Sequence, residues 1–440
     1  MGFAYDLVRS DTSKLILLYV TLFAFTFQII KSAKFKFKTL VLFSVIFRLL
    51  FLFAIPNLSQ DFYRFIWDGR IILNGLNPYL YKPNSFIENG VFPIADTQEL
   101  FNGMGSLSAS HFTNYPPINQ LCFVVANLFP GQSILSSVIG LRLIIIAADI
   151  GTLYFGKKLL ERLKLPSNNI FWYILNPFII IELTGNLHFE GVMIFFLVWS
   201  LYLLHSGKWK WAAVVLACSI SVKLIPLMLL PLFFNHFKTP QEDSKTTRFL
   251  DTIKNLNLPR LIGFYSIVIG TIILLFIPFF SMEFVNNYSK TVGLWFGNFE
   301  FNASIYYLAR AIGYAITGYN EIAIIGKILP VISVLFILGF SFFKDNSYFP
   351  KLITSMLLAL TLYLFLSTTV HPWYIATVLL LSVFTKYKFP IVWSIIIILS
   401  YAAYANDTFS ENLWIIGLEY CIVFSVFIWE VVLKKRLLVA

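Results

Sequence analysis

A succession of apolar runs, each near the length of a bilayer-crossing helix and separated by short basic segments, constrains this chain more than any other feature. A hydrocarbon core about 30 Å thick is crossed by about 20 apolar residues in helical form, or fewer where the helix is short or broken. Such runs fall at 15–30, 39–56, 134–156, 169–184, 190–206, 210–222, 224–235, 261–279, 321–343, 351–370, 373–385, 390–405 and 412–433. They predict an all-α polytopic membrane protein of about 13 transmembrane helices. Lys223 divides the short runs 210–222 and 224–235, which read as a pair turning at the outer face. With 58% hydrophobic and 12% charged residues, the 440-residue chain is too apolar for disorder.

The net charge of +11 is explained by the loops rather than by nucleic acid. Of the 33 Lys and Arg, 22 lie in 31–38, 157–164, 207–210, 236–260, 344–351, 386–388 and 434–436. Positive charge collects on the cytoplasmic side. Placing the N-terminus outside and the C-terminus inside puts all seven segments there. The opposite side then holds Arg9, Lys14, Arg64, Arg70, Lys82, Lys223, Lys290 and Arg310. No cleavage site follows the first run, so 15–30 reads as a retained helix. Cys122, Cys218 and Cys421 sit in apolar runs and suggest neither a disulfide framework nor a metal motif. The chain reads as one membrane domain, 1–440, with two long extracytoplasmic loops at 57–133 and 280–320.

Loops this long are usually functional. The first carries SQDFYRFIWDGRIILNGLNPYLYKP, residues 59–83. Asp61 and Asp68 are two helical turns apart with Arg64 between them, and Arg70 follows. An interfacial helix is expected, with its polar side to a cavity and its aromatic side to lipid, ended by Gly75 and Asn77-Pro78. The plain reading is a solvated, salt-bridged face. The chemical reading is a carboxylate that accepts a proton from a hydroxyl nucleophile, beside arginines that neutralise a departing phosphate. Pro116 and Pro117 predict a second, re-entrant or juxtamembrane helix over 117–129.

The next outer turn reads NPFIIIELTGNLHFEG, residues 176–191, and brings Asn186, His188 and Glu190 together near Glu182. Its structural alternative is a helix-turn-helix in which Asn186 caps and Glu190 complements the helix dipole. His188 and Glu190, two apart, are poorly spaced as metal ligands. Lys223 and His371 fall on the same membrane face. Arg142 and Asp149, seven apart in one span, are expected to neutralise each other.

The strings DFYRFIWDGR, NPY, YPPINQ, NPFIIIELTGNLHFEG, KLIPL, FNASIYYL and HPWY together resemble bacterial members of the GT-C glycosyltransferase superfamily. The likeness is to polyprenyl-phosphate-mannose-dependent mannosyltransferases and covers nearly all of the chain beyond residue 55. The resemblance implies a multi-helix fold with a large first outer loop and an acidic base early in it, here Asp61. It also implies a second polar turn, here Gly185, Asn186, His188 and Glu190. The helix at 15–30 precedes the usual family start, which unsettles the helix numbering.

The implied reaction is transfer of a hexose, mannose by resemblance, from a polyprenyl-phosphate sugar to a glycan or lipid-linked acceptor. Asp61 would act as base, with inversion. Arg64, Arg70, Lys223 and His371 are the expected phosphate contacts, and His188 and Glu190 the expected sugar contacts. Asp68 and Asn186 complete the expected substrate-binding set, with an ion pair to Arg64 or Arg70 as the structural alternative for Asp68. No metal or other cofactor is called for, since lysine and arginine supply charge. Partners are the donor lipid, the acceptor and membrane lipid, not nucleic acid. A lipid-linked glycan flippase or transporter would show a polar midplane path and repeats, and neither is visible. An O-antigen-type ligase or polymerase acts on similar lipids and stays open. A purely structural membrane protein leaves the two polar outer clusters without a reason.

Overall fold

The computed structural model describes residues 1–32, 34–238, 256–297, 299–405 and 410–435. Among these the architecture is helical throughout, and β pairing is limited to two isolated bridges, Lys238 with Leu256 and Phe301 with Thr369. Most of the basic segment 236–260, including Ser244, lies outside the described residues, as does Arg436.

Six described helices are long and apolar enough to cross a membrane: Thr12–Lys31, Ile134–Arg162, Leu258–Phe279, Ile322–Phe343, Phe349–Leu366 and Leu413–Val432. A seventh crossing counts if Pro177–Gly185 and Glu190–His205, which meet at 115°, are taken as one broken span. The predicted count of 13 is therefore not reproduced. Several runs that look continuous by hydropathy are short or interrupted: Trp209–Ile220, Ile225–Phe237, Pro372–Val383 and Phe389–Tyr404. Pro226, Pro372 and Pro390 stand in the first turn of three of them, where proline is tolerated, and Pro231 lies inside Ile225–Phe237, where it lacks the donor that continues a helix. Large apolar side chains turned outward, such as Leu17, Phe25, Leu274, Ile316 and Trp414, are what a lipid-facing surface requires.

Ile134–Arg162 packs along Glu190–His205, which packs in turn on Trp209–Ile220. In front of it lie the helices of the first long loop. Asp61–Leu73 packs between Thr97–Ala109 and Pro117–Asn127, and the last of these rests on Ile134–Arg162. Helices at 61–73 and 117–127 match the sequence reading, and the expected stop falls at Asn74–Gly75.

The expected lipid-facing aromatic side does not appear. Phe62, Phe65, Ile66, Trp67 and Ile71 are all buried, and Phe65 stacks on Phe123 with 4.6 Å between centroids. Gly69 permits this closeness: a Cβ there would stand 2.5 Å from the Phe123 carbonyl oxygen. The helix is enclosed by its own loop rather than floated on the bilayer.

The anticipated Arg142–Asp149 pair is also rearranged. Two turns carry the side chains about 10 Å apart along the axis. Asp149 instead pairs with Arg48 at 2.7 Å, and Arg142 donates to the carbonyls of Leu52, Thr184 and Gly185.

Candidate active site

Asp61 is the first residue of its helix, where exposed N–H groups and the helix dipole favour a carboxylate. It is half-buried. Burial pushes its carboxyl above the usual range; Lys223 and Arg9 pull it back, and Glu190 adds to the push. Those causes identify its neighbours. Lys223, in the turn after Trp209–Ile220, forms an ion pair with buried Glu190 at 3.1 Å, and its ammonium lies 5.2 Å above the Tyr115 ring.

Glu190 opens the second half of the broken pair. The break is built by a π-helical turn at Ile180–Gly185 and by Leu187, a buried leucine held at φ +62°. A non-glycine residue in that region costs about 1–3 kcal/mol and persists where surroundings enforce it, often at functional sites. Arg142, donating to the carbonyls of Thr184 and Gly185, is part of that enforcement. Asn186, His188 and Glu190 follow this turn and are all buried. Asn186 links Glu182 (3.4 Å) to the backbone N–H of Leu58 (3.4 Å), three residues before Asp61. Glu182 accepts from Tyr401 at 2.8 Å.

His188, Trp373 and His371 form a stack. The centroids are 3.6 Å apart for His188–Trp373 and 4.7 Å for His371–Trp373, and Phe301 continues the column at 5.0 Å from His371. Burial draws His371 down to about 4, with Lys223 acting in the same direction, so its imidazole is neutral at pH 7. It can offer a hydrogen bond to a phosphate but not a charge. Both ring nitrogens of His188 and Nδ1 of His371 lack hydrogen-bond partners among the described residues. The Phe301–Thr369 bridge, with Val370 N–H donating to the Phe301 carbonyl at 2.8 Å, fixes His371 against the second long loop.

Three expected site residues are placed differently. Arg64 pairs with Asp68 at 2.8 Å and donates to the carbonyls of Ser108 (2.6 Å) and His111 (3.0 Å). Asp68 also accepts from Gln120 at 3.1 Å. Arg70 is committed to Asn127, Ala95, Asp96 and Gln132. Each ties the enclosing loop to its helix. Asp61, Asn186, His188, Glu190, Lys223 and His371 are brought together.

Residues 12–237, just over half the chain, match the model described as alpha-(1->6)-mannopyranosyltransferase, N-terminal domain. The chain belongs to that family. A curated relative, alpha-(1->6)-mannopyranosyltransferase A of Mycobacterium tuberculosis, is 22% identical over 181 residues, which cover 41% of this chain and 33% of that protein. The match therefore spans about a third of the relative's length. The mannopyranosyltransferase-family region contains Asp61, Asn186, His188, Glu190 and Lys223; His371 comes from beyond it.

Sequence reasoning missed the aromatic floor. Trp373 and Tyr374 stood in the quoted HPWY string but were given no role, and Tyr115 and Tyr404 show no signal of their own. It also missed Arg9, counted only as an outer charge. Among the described residues, no three His, Cys, Asp or Glu side chains gather as a set of metal ligands.

Proposed function

We propose that this chain is a polyprenyl-phosphate-sugar-dependent hexosyltransferase, mannosyl by its family, working at the extracytoplasmic face. The observation that carries the reading is the convergence of Asp61 at a helix N-terminus with the Lys223–Glu190 pair and the His188–Trp373–His371 stack.

Asp61 accepts the proton of the acceptor hydroxyl. The hydroxyl oxygen forms a bond to the anomeric carbon as the bond from that carbon to the phosphate oxygen breaks. The electron pair leaves with the lipid phosphate. A single displacement inverts the configuration. The raised Asp61 carboxyl suits a base, since efficiency improves as its pKa approaches the working pH. Lys223 offsets phosphate charge, His371 donates as a neutral imidazole, and Asn186, His188 and Glu190 hold sugar hydroxyls. Charge parity along the loops supports an outside N-terminus and an inside C-terminus.

The test is incubation of the full chain, purified and placed in lipid vesicles, with radiolabelled polyprenyl-phosphate sugars and membrane extract, followed by identification of the labelled product. Transfer from polyprenyl-phosphate mannose is expected. Transfer from a soluble nucleotide sugar instead would overturn the donor class.

A further inference from the structure

Three of the basic segments meet at one end of the bundle. The helix Phe349–Leu366 relates that end to the candidate active site: His371 follows shortly after its last residue, while Pro350, Lys351 and Ser355 lie in its first turns. Its 18 residues hold the two ends about 27 Å apart, close to the thickness of a hydrocarbon core. At the far end three stretches of chain line one cavity of about 590 Å³. They are the exit from Ile134–Arg162, the link from Ile322–Phe343 to Phe349–Leu366, and the link from Pro372–Val383 to Phe389–Tyr404. That volume is within the range of small-ligand sites, about 300–1,000 Å³.

The lining has an apolar wall and a charged one. Leu163, Leu165 and Phe384 make the first, and Lys344, Lys351 and Lys386 face the lone carboxylate of Asp345 in the second. Asp345 is already committed to Lys351 at 3.0 Å. Among the described residues, the ammonium groups of Lys344 and Lys386 have neither a carboxylate nor a hydrogen-bond acceptor. They lie against rings instead, Lys344 at 4.0 Å from the Phe340 centroid and Lys386 at 5.5 Å from that of Tyr387. A ring face attracts a cation but leaves N–H donors open. Lys344 is also half-buried, where a cation without a counter-charge is costly. We propose that this cavity is a second ligand site, which takes a phosphate group at Lys344 and Lys386. Lysine binds phosphate as a point charge, and basic pockets between spanning helices suit anionic headgroups. A lipid headgroup would use both walls of the cavity, and a free phosphate only the charged one. The inference does not rest on the transferase reading, because no residue of the cavity belongs to the site at Asp61.

The experiment titrates the full chain in detergent with phosphatidylglycerol, phosphatidylcholine and inorganic phosphate, counting bound ligand by native mass spectrometry. Saturable binding of phosphatidylglycerol, tighter than that of phosphatidylcholine, is expected. A lysine near an anionic headgroup is worth about 5-fold in affinity. Lys344→Gln and Lys386→Gln should each weaken phosphatidylglycerol binding by about that factor, and the double variant by about 30-fold. Replacing both by arginine should retain binding. Lys36→Gln, at an exposed lysine of another basic segment, should change nothing. Asp345→Asn frees Lys351 and should tighten binding about 5-fold, a gain that poor folding does not produce. Saturable phosphate binding that the double variant loses, with no preference between the two lipids, would assign the same cations to a free phosphate. A preference for phosphatidylglycerol that inorganic phosphate does not displace assigns them to the headgroup. The proposal falls if the double variant and Asp345→Asn both bind as the wild type does. It falls equally if Lys36→Gln loses as much as either cavity lysine, since the attraction is then that of any basic surface.

Discussion

Two charged clusters in this molecule are finished in opposite ways. Inside the bundle, Asp149 takes Arg48 at 2.7 Å, Arg48 adds the carbonyls of Ser44 and Ile174, and Arg142 spends its three nitrogens on three carbonyls. All three side chains are essentially buried, and the chain itself supplies the partners for the charge, although Arg48 Nη2 and Asp149 Oδ1 make no hydrogen bond among the described residues. At the other cluster, Asp61 and Lys223 stay partly exposed, and His188 and His371 keep ring nitrogens without hydrogen-bond partners among the described residues. A buried polar group left open is costly and calls for a reason. The closed cluster is architecture. The open one is arranged for something that arrives. They are also connected, since Arg142 clamps the strained turn that presents His188 and Glu190.

The most severe test of that contrast is Asp61→Asn. The variant keeps size and most hydrogen bonding but cannot accept a proton, and a general base contributes about 10²–10⁴-fold. Transfer should fall by that factor while membrane insertion and donor binding persist. Near-normal turnover in folded Asp61→Asn would remove the central claim.

The matching test at the closed cluster is Asp149→Ala. It leaves Arg48 uncompensated in the interior, and breaking a buried pair costs about 3–5 kcal/mol. A marked fall in apparent Tm in detergent is expected, with transfer per folded molecule retained. A stable but inactive variant would erase the distinction between the clusters.

Smaller effects should come from Glu190→Gln and His188→Ala, which in the proposed reaction position rather than react. Each should weaken transfer less than loss of Asp61. Glu190→Gln carries a further signature. As the proposed base, Asp61 would act only when ionised, so activity is expected above its pKa and is lost as pH falls through it. Glu190 helps raise that pKa, as burial does, against Lys223 and Arg9, with the Tyr115, Tyr374 and Tyr404 phenols also facing Asp61. Its neutralisation should extend activity to lower pH. If either variant abolishes turnover while Asp61→Asn is mild, the base is misassigned.

Local signals were readable and long-range ones were not. Gly75 and Pro117 punctuate the chain, so the helices at 61–73 and 117–127 were legible. The acidic start at Asp61 and the polar turn at 186–190 stood out because polar groups between apolar runs are expensive. Hydropathy reads apolar length and not helix continuity, and 13 runs yield six described helices of spanning length. Nor does spacing reveal which carbonyls will cover a charge. Arg64 and Asp68 look like a solvent-facing pair at i,i+4, and only the packing of the loop over them closes it. Arg9 becomes visible only through contacts distant in sequence, at Leu58 and Tyr404.

The last and smallest effect on transfer is expected at Asp68. It stands seven residues after Asp61 in the same helix and has the same chemistry, so spacing alone does not separate them. Packing does. Both its oxygens are engaged, by Arg64 at 2.8 Å and Gln120 at 3.1 Å, and its side chain is 1% exposed. Asp68→Asn keeps one acceptor oxygen but removes the charge opposite Arg64, which also holds the carbonyls of Ser108 and His111. An imperfectly satisfied buried group costs about 1–3 kcal/mol. The expected result is a modest fall in apparent Tm and transfer per folded molecule within a few-fold of wild type. A loss of transfer in Asp68→Asn comparable to that in Asp61→Asn, with stability intact, would place Asp68 in the open cluster and redraw the boundary between the two.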